Sequence, residues 1–405
     1  MLKNLNRICR EFSIPLILGV VCAMAGANLF PNMYHHVIHA PFFGETISLH
    51  WLVNDIFMVF FFAIAGVEIV NSLSKGGSLN PLKKAVAPLM ATAGGVIFPA
   101  AVFLIINWVA GDSSYTNGWG ICTATDIALA WLVARLIFGT LHPAVNFLLL
   151  LAVADDAVGL AIIAVFYPEP GSTVQPVWLL LVLAAMILAW GLRKLRVRYF
   201  EPYILLCGSV SWMGMYHAGV HPALALVFII PFLPRTGKSI PQNDEHGPDH
   251  TYGKSALHTF EHRIGAAVDY GLFFFGFTNA GVELGSLSSL SLIIFLAFLI
   301  GKSGGVLLFS WLAVKFKASL PEGMNFKDVA AVGFISGIGL TVALFVSENA
   351  FTDSRLTDAA KMGALLSLLT AVPATIAARI FKIGRWAAEP VLRGPCKGSV
   401  PNPNT

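Results

Sequence analysis

The sequence predicts an all-α polytopic membrane protein with about ten to twelve transmembrane helices, and three observations carry that expectation. Of its 405 residues, 56% are hydrophobic and only 12% are charged, about half the charged share of a soluble domain. The mean hydropathy is +0.74. The apolar residues fall in long uninterrupted runs separated by short polar connections, and at ~20 apolar residues per span the length allows that number of crossings. A porin-like barrel is excluded, because such strands alternate in period two. The net charge of +4 suits interfacial lysine and arginine anchors and points to no nucleic-acid partner. Cys9, Cys22, Cys122, Cys207 and Cys396 have no paired spacing and read as small hydrophobes. There is no CxxC and no HExxH, so no cofactor and no enzymatic centre is expected.

Lys3, Arg7 and Arg10 precede an apolar run from Ile14 to about Phe30. It starts like a signal peptide but is too long and lacks a clean cleavage site, so it reads as a retained first span. A loop from Pro31 to His50 follows, in which Phe42–Leu49 has the turn chemistry of a small external hairpin. The second span runs from about Trp51 to Leu73 and carries Asp55 and Glu68; the third runs from about Val86 to Ala110. The fourth, about Trp119 to Phe138, is interrupted by Thr123-Ala124-Thr125-Asp126. The fifth ends near Phe166 and holds Asp155 and Asp156 between unbroken Leu, Ala, Val and Ile.

The sixth span is expected over about Val177 to Gly191, with shorter segments over Tyr203 to Tyr216 and Gly219 to Leu233. A polar loop over 234–262 leads to a ninth span, about Ile264 to Val282. The tenth, about Leu290 to Val314, contains Lys302. The eleventh, about Val329 to Val346, is interrupted by Gly337-Ile338-Gly339-Leu340-Thr341, and the twelfth runs from about Met362 to Phe381. Residues 1–393 read as one transporter domain and 394–405 as a disordered Gly/Pro-rich tail.

With the N-terminus inside, Lys75, Lys83, Lys84, Arg135, the Arg193–Arg198 cluster, Arg235, Lys315, Lys317, Arg379 and Lys382 all fall on the cytoplasmic side. The opposite loops are nearly free of lysine and arginine, so both termini are expected in the cytoplasm of a multi-pass membrane protein.

A charge at mid-membrane depth costs several kcal/mol and is functional by default. Asp155 and Asp156 are ~100° apart on a helix. Both can border one cavity, or one can face water while the other takes a partner on another helix. Oxygen-only ligands beside competing protons suit Na⁺, Li⁺ or H⁺. Lys302 needs a carboxylate, and the aspartate pair is the obvious source; a static salt bridge is the plainer alternative. The two interruptions fall at similar places in spans three to five and ten to twelve, and such broken helices point to a midplane transporter site. Asp126 would offset facing helix N-termini and Lys302 facing C-termini. Glu68, Glu261 and His262 lie near expected cytoplasmic ends, with His221 more loosely associated, and are candidates for pH sensing. His35, His36, His39, His246, His250 and His258 sit in loops and receive no role.

Ala124-Thr125-Asp126-Ile127-Ala128, Ala154-Asp155-Asp156, Phe277-Thr278-Asn279-Ala280-Gly281-Val282, Gly301-Lys302, Leu320-Pro321-Glu322-Gly323 and Gly337-Ile338-Gly339-Leu340-Thr341 together resemble the NhaA-type sodium–proton antiporters. The strings keep that family's order from about Phe12 to Ile380. The resemblance implies twelve helices with inverted repeats (spans 3–5 and 10–12) and crossed, interrupted helices 4 and 11. It implies electrogenic exchange of Na⁺ or Li⁺ for H⁺ in a bacterial inner membrane, for sodium and pH homeostasis. Asp156 would be the principal ligand of a transiently held ion, with Thr125 beside it. Asp155 would pair with Lys302 in one state, and Asp126 would balance the crossing with Thr123, Ala124, Gly337, Gly339 and Thr341. A homodimer through the external hairpin 42–49 is also implied. The charged run that commonly follows Glu68 in the family is replaced by Ile69-Val70-Asn71-Ser72, and no further histidine follows Glu261-His262 at once, so the pH-sensing group is thinned. A sodium-coupled organic-anion symporter is the alternative; the adjacent aspartates and the buried lysine argue against it. An intramembrane aspartyl protease needs its carboxylates on different helices, and a passive channel needs no lysine at its site.

Overall fold

Backbone polar groups in lipid must be satisfied within their own segment, which leaves the helix as the solution for each apolar run. In the computed structural model, residues 13–43, 47–74, 77, 82–110, 112–140, 142–168, 175–235 and 255–383 are described. Among them the helices are α1 Ile14–Leu29, α2 Pro31–His39, α3 Leu49–Leu73, α4 Leu82–Ala110, α5 Ile127–Phe138, α6 Pro143–Phe166, α7 Pro176–Lys194, α8 Ser209–Ala218, α9 Ala256–Asn279, α10 Ser289–Lys315, α11 Phe326–Ser336, α12 Thr341–Ala350 and α13 Ser354–Ile380. Six of these, α3, α4, α6, α7, α10 and α13, are long and apolar enough to cross a bilayer. Two bent pairs add to them. A 3₁₀ segment, Ser113–Thr123, meets α5 at 57°, and α11 meets α12 at 49°.

The outer surface of the bundle is apolar, as lipid requires. Ile17, Leu18 and Val21 of α1, Ile105 and Trp108 of α4, and Leu180, Leu183 and Ile187 of α7 all point outward. Inside, helices approach through small residues. A Cβ on Gly94 of α4 would lie 2.2 Å from the Gly305 carbonyl of α10, and one on Gly19 of α1 would lie 2.2 Å from the Phe273 carbonyl of α9. Three π segments occur among the described residues, over Leu52–Phe57 in α3, over Tyr203–Gly208 leading into α8, and over Ala297–Lys302 in α10. Such bulges often mark functional sites, and the last ends on Lys302.

Several expectations are corrected. The first half of the loop expected over 31–50 is a helix, started by Pro31 at its first position, where proline's missing amide costs nothing. The hairpin exists as β1 Pro41–Phe43 antiparallel to β2 Ile47–Ser48, with Pro41 opposite Ser48; residues 44–46 lie outside the described set. The eighth segment, 219–233, is a run of turns and short 3₁₀ pieces, because Pro222 and Pro231 remove amides a helix would use. The loop expected over 234–262 ends early. Ser255 accepts from the His258 amide and starts α9 at Ala256, so Glu261 and His262 are helical. Cys122 and Cys207 are buried, whereas Cys22 is exposed on the bundle surface. Most of the 234–262 loop and the 394–405 tail lie outside the described residues.

Candidate functional site

The two breaks lie against each other. The Asp126 amide donates to the Ile338 carbonyl at 2.7 Å. A Cβ on Gly339 would sit 2.7 Å from the Ala124 carbonyl and 2.4 Å from the Phe298 ring, so this approach admits only glycine.

Breaking two helices at one level exposes four helix ends, whose orphan groups need partners. Asp126 serves both N-terminal ends. Its Oδ1 accepts from the Leu129 amide of α5 at 3.1 Å, and its Oδ2 from the Thr341 amide of α12 at 3.3 Å. The C-terminal ends receive donors. Lys302 Nζ donates to the Thr123 carbonyl at 2.5 Å, and the single Thr125 hydroxyl proton is shared between the Ser336 carbonyl that ends α11, 2.9 Å away, and the Asp155 carboxylate. The charge-compensating roles expected of Asp126 and Lys302 therefore have a specific geometry here. Replacing Asp126 with alanine removes two caps at once. At about 1 kcal/mol per cap, the expected cost is about 2 kcal/mol, read as a lowered melting temperature in detergent, with Asp126→Asn intermediate because one acceptor oxygen remains.

The helical offset between Asp155 and Asp156 divides their surroundings. Asp155 is 1% exposed. Its Oδ2 lies 3.1 Å from Lys302 Nζ and accepts from Thr125 Oγ1 at 2.7 Å. Gly95 of α4 lies beside that pair: a Cβ there would meet Val306 at 3.3 Å and reach ordinary contact, 3.8 Å, with Asp155 Oδ1 and Lys302 Cε. Lys302 has no exposed surface. Asp156 takes no hydrogen bond or ion pair from any described residue, and its Oδ1 is buried without a partner. It faces a cavity of about 140 Å³ that Glu68, Thr125, Asp126, Asp269, Thr341 and Val342 also line.

Of the expected pH-sensing group, Glu68 and Glu261 lie within electrostatic range of each other, whereas His221 stands apart. Glu68 reaches the Asp156 cavity. Glu261 accepts from Asn71 at 3.4 Å, and the His262 ring stacks on His258. His221 is buried elsewhere, with Nδ1 accepting from the Ala223 amide and its ring edge-on to Phe345. Sequence reasoning missed Asp269, whose only signal is its position two turns after Glu261 on α9. It also missed a second polar cluster at the other end of the bundle. There Glu348 of α12 pairs with Lys361 of α13, and His50 Nε2 of α3 lies 3.1 Å from Glu348 Oε1. The signal was two ionisable residues, Glu348 and Lys361, just past the end of apolar span eleven and just before the start of span twelve.

Comparison with known proteins gives the following. A family model described as Na⁺/H⁺ antiporter 1 matches residues 7–378. The "Na(+)/H(+) antiporter NhaA" of Desulfitobacterium hafniense is 53% identical over 383 residues, covering 94% of this chain and 97% of its own. The protein of the same name from Geobacter metallireducens is 52% identical over 385 residues, covering 95% of this chain and 100% of its own. A solved structure of the sodium proton antiporter MjNhaP1 from Methanocaldococcus jannaschii at pH 8 covers 91% of this chain and 96% of that chain, with 16% identity and a TM-score of 0.47.

Proposed function

The chain belongs to the Na⁺/H⁺ antiporter 1 family, and from that premise we propose that Asp156 is the residue through which it exchanges Na⁺ for H⁺. It is a multi-pass membrane transporter that carries Na⁺ and H⁺ in opposite directions. The observation behind the site assignment is the division of the aspartate pair. Asp155 is held by Lys302 and Thr125, whereas Asp156 faces its cavity with no hydrogen-bond or ion-pair partner among the described residues. A carboxylate that must alternately hold a proton and a cation needs this freedom. Thr125, which lines the same cavity, supplies a neutral oxygen beside the ion, and Na⁺ and Li⁺ fit such oxygen ligands.

The cavity is lined from helix ends that lead into lysine- and arginine-rich connections: Leu16 of α1, Ile64 and Glu68 of α3, and Val268 and Asp269 of α9. By the charge rule these ends are cytoplasmic, in a bacterial inner membrane with both termini inside. A larger cavity, about 600 Å³, is lined from the opposite ends by His39, His50, Thr278, Glu348, Asp358 and Lys361, and faces outward. The conformation is thus inward-facing. Cytoplasmic Na⁺ reaches Asp156 and displaces protons, the bundle rocks, and external protons then displace Na⁺. Asp155 exchanges Lys302 for the ion in the course of that cycle. Carrying more protons than Na⁺ moves net charge, so the membrane potential contributes ~2.3 kcal/mol per charge per 100 mV.

Twelve crossings in inverted repeats accommodate this cycle, within one transporter domain over 1–393. The repeats correspond to α4–α6 and α10–α13, each built around one bent pair. The hairpin of β1 and β2, with Phe42 exposed, is the surface for a second copy. The small cavity at Asp156, bordered by several carboxylates, suits a cation rather than an organic anion. The test is transport in everted vesicles: Na⁺ or Li⁺ is expected to dissipate an imposed pH gradient, and no Na⁺-dependent dissipation at any pH from 6 to 9 would overturn the assignment.

A further inference from the structure

The helices α3 and α12 relate differently at their two ends. Toward the cytoplasmic side, beyond the edge-on contact of Phe62 with Phe345, a cavity of about 140 Å³ lies between them. Phe61, Ala65 and Glu68 of α3 face Thr341 and Val342 of α12 across the Asp156 cavity. At the outer end they are tied, with His50 Nε2 of α3 lying 3.1 Å from Glu348 Oε1 of α12. The tie forms part of the lining of the 600 Å³ outer cavity. Behind it, Asn54 of α3 and Asn279 of α9 exchange amide hydrogen bonds at 3.2 and 3.0 Å, and Asn54 Nδ2 lies 3.0 Å from His50 Nε2.

Alternating access requires the separated end of such a pair to close and the tied end to open. We propose that His50–Glu348 is the outer latch of the transport cycle, a contact that holds the inward-facing state and must break before the site opens outward. The inference rests on the Na⁺/H⁺ exchange reading and adds residues to it.

The other partners in the cluster fit this role. Lys361 pairs with the second oxygen of Glu348, but it sits on α13, which follows α12 directly and moves with it. Lys361 is therefore a positioning residue that holds Glu348 toward α3, and His50 is the contact that must be lost. The anchor on the α3 side is equally fixed, because the Asn54–Asn279 pair holds α3 to α9. The cluster is a weak reason for stability, since partly buried ion pairs cost desolvation that apolar packing would not. A latch explains why it persists at a junction between two elements that must separate. The charges facing it are Asp358 on α13 and Glu283 after α9, with the His35 and His39 rings in tilted contact, one after the other, toward His50. Burial, with the neighbouring imidazoles of His50 and His35, holds His39 down at about 4, so it adds no competing charge at neutral pH.

The test joins the latch covalently. His50→Cys and Glu348→Cys are combined in a chain lacking its native cysteines, and a short bis-methanethiosulfonate reagent bridges them. Bridging is expected to lower Na⁺/H⁺ exchange in proteoliposomes to about a tenth or less, with recovery on reduction, because one state becomes inaccessible. A second measurement does not depend on transport. His50→Ala is expected to slow labelling of Val342→Cys by an impermeant maleimide from the cytoplasmic side by about threefold or more, as the population shifts outward. The same substitution combined with Glu348→Gln should add little. Undiminished exchange by the bridged protein overturns the latch, and so does labelling at Val342→Cys unchanged by His50→Ala in a variant of parental melting temperature. Both outcomes leave the exchange reading intact, whereas absence of Na⁺-dependent exchange by the unmodified chain would overturn that reading itself.

Discussion

Asp156→Asn abolishes Na⁺-dependent dissipation of a pH gradient in proteoliposomes while leaving the protein folded. The side chain has no hydrogen bond or ion pair among the described residues and borders an existing cavity, so the amide fits without displacing a partner. On the proposed assignment, what is lost is the charge that holds the cation and the oxygen that takes up the proton. Removing one partner from a desolvated charge interaction costs about 3–5 kcal/mol, which is more than about two decades in affinity. The expected exchange rate is therefore below roughly a hundredth of the parent, with a melting temperature within a few degrees of it. Full retained exchange would mean that Asp156 is not the ligand. Asp155 would then have to serve while still engaged by Lys302 and Thr125.

Lys302→Ala has the opposite signature. Lys302 has no exposed surface and holds both the Asp155 carboxylate and the Thr123 carbonyl that ends the 3₁₀ segment. Its loss leaves Asp155 without its counter-charge and one helix end without its donor, at an expected cost of about 3–5 kcal/mol. The melting temperature falls substantially, and uptake driven by the membrane potential weakens. Preference between Na⁺ and Li⁺ should change little, because Lys302 is absent from the lining of the Asp156 cavity. A variant with a parental melting temperature and undiminished potential-driven uptake would contradict this role.

The parts that were legible in the sequence share a physical reason. Asp155, Asp156 and Lys302 sit in runs where a charge is costly, so each stands out from its neighbours. The two interruptions stand out because weak helix formers occur where lipid demands continuous hydrogen bonding. The latch was not legible. His50 lies at the start of a span, where a polar residue is ordinary, and Glu348 is 298 positions away. The irregular course of 219–233 was missed because an apolar run predicts burial and says little about backbone path once prolines interrupt it. The helix Pro31–His39 was missed because its composition is loop-like.

The sequence by itself determined that this is a helical membrane transporter, and which charges are too costly to be incidental. Composition and spacing alone left Asp155 and Asp156 as equivalent neighbours, and the resemblance to a known family implied different roles for them without a geometric reason. Only the tertiary structure shows how their surroundings differ. Close contact of α4 with α10 at Gly94 and Gly305 sets Lys302 beside one face of α6. The ~100° between successive helical residues then puts Asp155 against the lysine and Asp156 toward the cavity. A single chain position cannot encode that choice, because it depends on how three helices distant in sequence are rotated against one another.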